Sequence, residues 1–107
     1  MTDSQDTSPV GIMAEHYSIC ANWADDVEID SDFEDHARKT CSDFFVKFPG
    51  VCLGFTTEQL EQCGHHLWLT RQGHGAGFWD RDDGTFGSPE NRDNFDKYAR
   101  KLGEYWI

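Results

Sequence analysis

The sequence predicts an α+β fold, two to three helices packed on a small antiparallel sheet, in the order α-α-α-β-β-α-β. Three observations lead there. Apolar residues recur at helical spacing through the first half of the chain. Two short runs of large, β-favouring residues then flank a glycine-rich turn between Leu67 and Asp80. After one more helical stripe, the chain closes on Glu104-Tyr105-Trp106-Ile107, with Tyr105 and Ile107 facing one way as in a strand.

Each element has its own signal. Residues 1–9, MTDSQDTSP, are polar and predict a flexible N-terminus, leaving 10–107 as a single α+β domain. Ile12, Met13, His16, Tyr17, Cys20, Trp23 and Ala24 step by three and four, the stripe of an amphipathic helix. A second helix over 32–48 carries Phe33, Ala37, Cys41, Phe44, Phe45 and Phe48 on one face. Asp30 or Ser31 caps it, Ser31-x-x-Glu34 fits a capping box, and Pro49-Gly50 ends it. Thr56-x-x-Gln59 opens a short helix over 57–63, with Gly64 at its C′ position. Residues 65–71 then read as a strand, because Leu67, Trp68, Leu69 and Thr70 suit a pleated surface. A turn at QGHG leads to a second strand, GAGFWD, so the unit is a hairpin. Ser88 and Pro89 start the last helix, Phe95, Tyr98, Ala99 and Leu102 form its stripe, and Gly103 stops it.

Composition excludes several function classes. The 107 residues hold 20 Asp and Glu against 9 Lys and Arg, a net charge of −11, which argues against direct binding of nucleic acid. Aromatic residues are 14% of the chain, too many for a disordered protein. No window holds the roughly 18 apolar residues that span a membrane. No basic, apolar leader points to export. Cys20, Cys41 and Cys63 fall on apolar stripes. With Cys52 they match no zinc-ribbon spacing, so the four read as reduced thiols. Arg92, Lys97, Arg100 and Lys101 make one basic stripe, adequately explained as solvated surface.

The densest charge is Asp25, Asp26, Glu28, Asp30, Asp32, Glu34 and Asp35, seven acids with no base between them. As plain surface they keep a small protein soluble and complement a helix start. As a site they steer the chain onto a basic partner, or stand in for a line of DNA phosphates.

The segment from Gly64 to Gly84 is the other candidate. Its glycines suit a tight turn, or backbone amides facing a ligand. Cys63, His65 and His74 on one sheet face are one ligand short of a closed zinc site, so no metal and no cofactor is expected. Asp80-x-Asp82-Asp83-Gly84 misses the register of a calcium loop. His74, Asp80 and Arg81 have the chemistry of a base, an orienting carboxylate and an anion clamp. No nucleophile stands at a recognisable spacing, so an enzyme is not expected.

The run GHHLWLTRQGHGAGFWDR resembles a family of small, mostly uncharacterised bacteriophage proteins whose signature reads roughly G-H-D-F-W-L-T-R-N-G-H-G-A-G-F-W-D-R. Gly64, His65, Trp68, Leu69, Thr70, Arg71, Gly73, His74, Gly75, Ala76, Gly77, Phe78, Trp79, Asp80 and Arg81 carry the likeness, and His66, Leu67 and Gln72 depart from it. Family members often continue past the last strand with a further hairpin. A second copy of this chain is one source of that strand, hence a homodimer as one expectation. The resemblance implies a phage-encoded protein of the host bacterial cytoplasm. The resulting expectation is an acidic protein that binds and inhibits a host nucleic-acid-handling or antiviral defence protein, with a DNA mimic as its sharper form. Its contact residues would be the seven acids with Trp68, Arg71, His74, Trp79, Asp80 and Arg81. The alternative is a small ligand-binding or catalytic domain on the His74–Arg81 hairpin.

Overall fold

A computed structural model describes residues 8–73, Phe78, Phe86 and residues 89–103. Five helices run in chain order: α1 Pro9–Asp25, α2 Ser31–Lys47, α3 Pro49–Cys52, α4 Thr57–Arg71 and α5 Pro89–Leu102. Helix α4 lies between α1 and α5, and α1 also packs on α2. The α+β expectation is overturned, since the described residues form helices and no strand. The second strand falls outside the described residues apart from Phe78, and the third lies wholly outside them.

Local signals set most helix starts. Ser8 accepts the Gly11 N–H at 3.1 Å and Pro9 follows it at the first helical position. Asp30 caps α2 by accepting the Phe33 N–H at 2.9 Å. Thr56 and Gln59 form the expected capping box, with Thr56 N–H to Gln59 Oε1 at 2.8 Å and Gln59 N–H to Thr56 Oγ1 at 3.2 Å. Gly103 leaves α5 at φ 75°, a left-handed turn that suits glycine. The cap read at Ser88 lies outside the described residues.

The correction concerns residues 64–71. Gly64 does not end a helix but sits inside α4, and 65–71 continue that helix. A glycine in a helix interior costs about 1 kcal/mol against alanine. Here close packing offsets that cost. A Cβ at Gly64 would overlap the Met13 carbonyl oxygen and stand 3.0 Å from the Tyr17 backbone nitrogen of α1. His66 through Thr70 are all buried, so the helix is covered on every side. An unbroken apolar run of this kind is shared by a buried strand and a buried helix, and periodicity cannot separate them.

The core is aromatic. Tyr17, Phe33 and Trp68 meet at one side, with Tyr17 and Trp68 edge to face at 5.3 Å between ring centres. Phe44, Phe78, Phe86 and Phe95 meet at the other, Phe44 to Phe95 at 4.9 Å and Phe78 to Phe86 at 5.2 Å. All four cysteines are free and buried, and burial holds the Cys20 thiol up at about 12 and the Cys52 thiol at about 11. No helix among the described residues is long and apolar enough to cross a membrane.

Candidate functional site

The acids of the 25–35 segment occupy the last residue of α1, the turn between α1 and α2 and the first turns of α2. That turn is strapped to α1. Asp26 takes the left-handed conformation, φ 55° and ψ 32°, which Asp tolerates better than most side chains. Its N–H donates to the Asn22 carbonyl at 3.0 Å. The Val27 N–H donates to the Ala21 carbonyl at 3.3 Å, and the Asn22 side-chain amide returns a hydrogen bond to the Val27 carbonyl at 3.0 Å. Val27 itself is 2% exposed and plugs the turn into the core. A short polar segment thereby gains one fixed shape.

The structure divides the seven acids into two roles. Asp25 accepts the Trp68 indole N–H at 2.6 Å, and Asp30 caps α2, so these two hold the fold. All seven residues are exposed, and Asp26, Glu28, Asp32, Glu34 and Asp35 make up the rest of the charged surface. Asp32 and Glu34 stand in the first turn of α2, where the helix dipole favours carboxylates.

Beside this turn, between α1 and α2, lies an open groove of about 710 Å³. Gly11 and Ala14 of α1 and Ala37 of α2 line it with small side chains, which let the groove exist. Ile19, Trp23 and Ile29 add larger apolar groups, with Ile19 51% and Trp23 74% exposed. Trp23 was expected on the buried stripe of the first helix. The buried set is Gly11, Met13, Ala14, Tyr17, Cys20 and Ala21, which turns Trp23 outward. Its ring lies 6.2 Å from that of His65 on α4. Glu15, Glu34 and Arg38 supply charge among the lining residues.

Trp68 and Arg71, expected as partner contacts, are placed inward. Trp68 is fully buried, and its indole N–H reaches up to Asp25 from beneath the acidic turn. Arg71 donates from Nε to the Gly103 carbonyl at 2.8 Å, and its two terminal nitrogens donate to the Leu102 carbonyl at 3.3 Å and to Tyr17 Oη at 3.2 Å. The guanidinium thus ties the end of α5 to α1 and α4. Tyr17 Oη lies 2.9 Å from His36 Nε2. Arg71 donates to the same oxygen, so the phenol links the guanidinium to the imidazole. Burial, and then the Arg71 charge, push His36 down from 6.5 to about 4, so it is neutral near pH 7. Burial raises the Tyr17 phenol in turn, against the pull of Arg71. A relay with both titrating groups held neutral is built to orient, and none of its three side chains lines the groove.

His74, Trp79, Asp80 and Arg81 lie outside the described residues, and the hairpin reading lies there with them. Among the described residues there is no group of three or more His, Cys, Asp or Glu side chains able to hold a metal. Ile19, Trp23 and Asn22 are the functional candidates that the sequence reading missed. Trp23-Ala24-Asp25-Asp26, an aromatic running into an acid run at a helix end, was the available signal. In comparison with known proteins, no family model, no curated protein and no solved structure matches the chain.

Proposed function

We propose that this chain is an interaction protein that engages a cationic surface on a host nucleic-acid-handling or antiviral defence protein and inhibits it. The observation that supports this reading is a run of exposed carboxylates, Asp26 and Glu28 on a turn already strapped to the core and Asp32, Glu34 and Asp35 at the start of the helix that follows it. Preorganised charge loses little conformational freedom on docking and speeds encounter with a basic partner. In its sharper form, the carboxylates occupy a groove built for DNA phosphates. The phage signature from Gly64 to Arg81 supports the host context, and with it the bacterial cytoplasm as the place of action.

The test is capture from bacterial lysate. The variant is Asp26→Asn, Glu28→Gln, Asp32→Asn and Asp35→Asn. Asp25 and Asp30 stay, because they hold Trp68 and the α2 cap. A basic host protein captured by the parent chain should be lost from this variant, and its binding to the parent should weaken with salt as exposed charge is screened. Equal capture by the variant at raised salt would reject the reading. Displacement of DNA from the captured protein by the parent chain checks the inhibitory form.

A further inference from the structure

The geometry points to the α1–α2 groove as the seat for an apolar side chain of a basic, amphipathic segment of the partner protein. This rests on the interaction reading above and names what that site would grip.

Three features converge. First, the groove has a floor of small residues, Gly11, Ala14 and Ala37, and an exposed apolar wall, Ile19 and Trp23. A tryptophan left 74% exposed is unusual for a core-forming residue and typical of an interface anchor. His65 of α4 lies behind it, 6.2 Å between ring centres. Second, Ile29 and Glu34 line the groove and belong to the acidic segment itself, so apolar and anionic surfaces are continuous. Third, charge selects the occupant. Glu15 and Glu34 line the groove against one cation, Arg38, and Asp26, Glu28, Asp32 and Asp35 stand on the same segment and helix start, so the surroundings are net anionic. A second copy of a chain with net charge −11 would bring like charge to that rim. A segment with Lys or Arg on one face and Leu, Ile or Phe on the other satisfies both surfaces at once. An amphipathic helix lying along a groove between two helices is an established mode of recognition.

The experiment uses the full chain, isotope-labelled, with two synthetic probes of equal positive charge. One is an amphipathic Lys/Leu helical peptide and the other a Lys/Ser peptide. The Ile19 methyl and Trp23 indole signals report the groove, and the Glu28 and Asp32 amides report the acidic turn. The Lys/Leu peptide should shift both sets with one saturation curve, and the Lys/Ser peptide only the second. Ile19→Ala with Trp23→Ala should weaken the Lys/Leu peptide by about tenfold or more, as loss of an interface anchor does. Both residues are exposed, so an unchanged thermal melt shows that the variant is folded. Equal shifts of the turn by both peptides with Ile19 and Trp23 still would overturn the groove assignment and leave the acidic-turn reading standing. Shifts of Ile19 and Trp23 on concentrating the chain alone would assign the groove to a second copy and overturn it as well. No shift with either peptide also rejects it, and lysate capture then decides the broader reading separately.

Discussion

Along α2, the first half of the helix packs into an aromatic cluster tied by hydrogen bonds, and the second half packs into one that is mostly hydrocarbon. Near its start, Phe33 and His36 join Tyr17 and Trp68, where Tyr17 meets His36 and Arg71, and Trp68 meets Asp25. Near its end, Phe44 and Phe48 join Phe95 and Tyr98, with Phe78 and Phe86 alongside. Both regions exclude water with rings. Only the first directs a polar atom at the acidic turn, through the Trp68–Asp25 bond. Hydrocarbon burial is non-directional and supplies stability, whereas a hydrogen bond to a buried donor specifies where a backbone turn must sit. The groove and the exposed carboxylates stand next to the region that is tied.

The largest test of this contrast is in the hydrocarbon region. Phe95→Ala removes a fully buried ring shared by Phe44, Phe78 and Phe86. Chemical denaturation should show a loss of about 3–5 kcal/mol. The acidic-turn amide shifts of the folded molecule should not move. Gly64→Ala comes next, since its Cβ meets the rigid backbone of α1 at Met13 and Tyr17. Overpacking of this kind costs about 1–3 kcal/mol, and here the α1–α4 contact that carries Tyr17 and Trp68 must open.

Trp68→Phe keeps most of the ring and deletes the donor to Asp25. Its cost should be about 1–3 kcal/mol, with shifts at Asp25 to Val27 that Phe95→Ala does not cause. Asp25→Asn retains an acceptor and should cost less. The smallest effect is the pH dependence of His36. Its folded-state value lies near 4 against 6.5 when unfolded, so the unfolded chain binds more protons between them. Stability is therefore full above about pH 6.5 and falls as pH drops toward 4. His36→Gln, which keeps a hydrogen-bonding group beside the Tyr17 phenol, should flatten this part of the profile. A profile unchanged by that substitution would show that the relay does not sense pH.

How much was legible follows from the range of each signal. The caps at Asp30 and Thr56, the face of Phe33, Ala37, Cys41 and Phe44, and the stop at Gly103 are all written within a few residues of where they act, whereas Ser8 and Pro9, read as part of a flexible end, open α1. The acid run was visible as well, but not that one of its exposed residues, Asp25, holds the fold as the Asp30 cap does. Asp25 meets Trp68 across 43 positions of sequence, and no local pattern encodes such a partner.

The amino-acid order alone determined the charge, the burial of Cys20, Cys41 and Cys63, the caps at Asp30 and Thr56 and the register of α2, because these depend on side-chain chemistry and nearest neighbours. Tertiary structure alone decided that 64–71 is helix, that Trp68 turns inward and that Trp23 turns outward. An apolar run carries no sign of which neighbour will cover it. Gly64 pressed against the backbone of α1 settles that choice, because only a residue without a Cβ lets the two helices approach closely enough to bury residues 66–70 of α4.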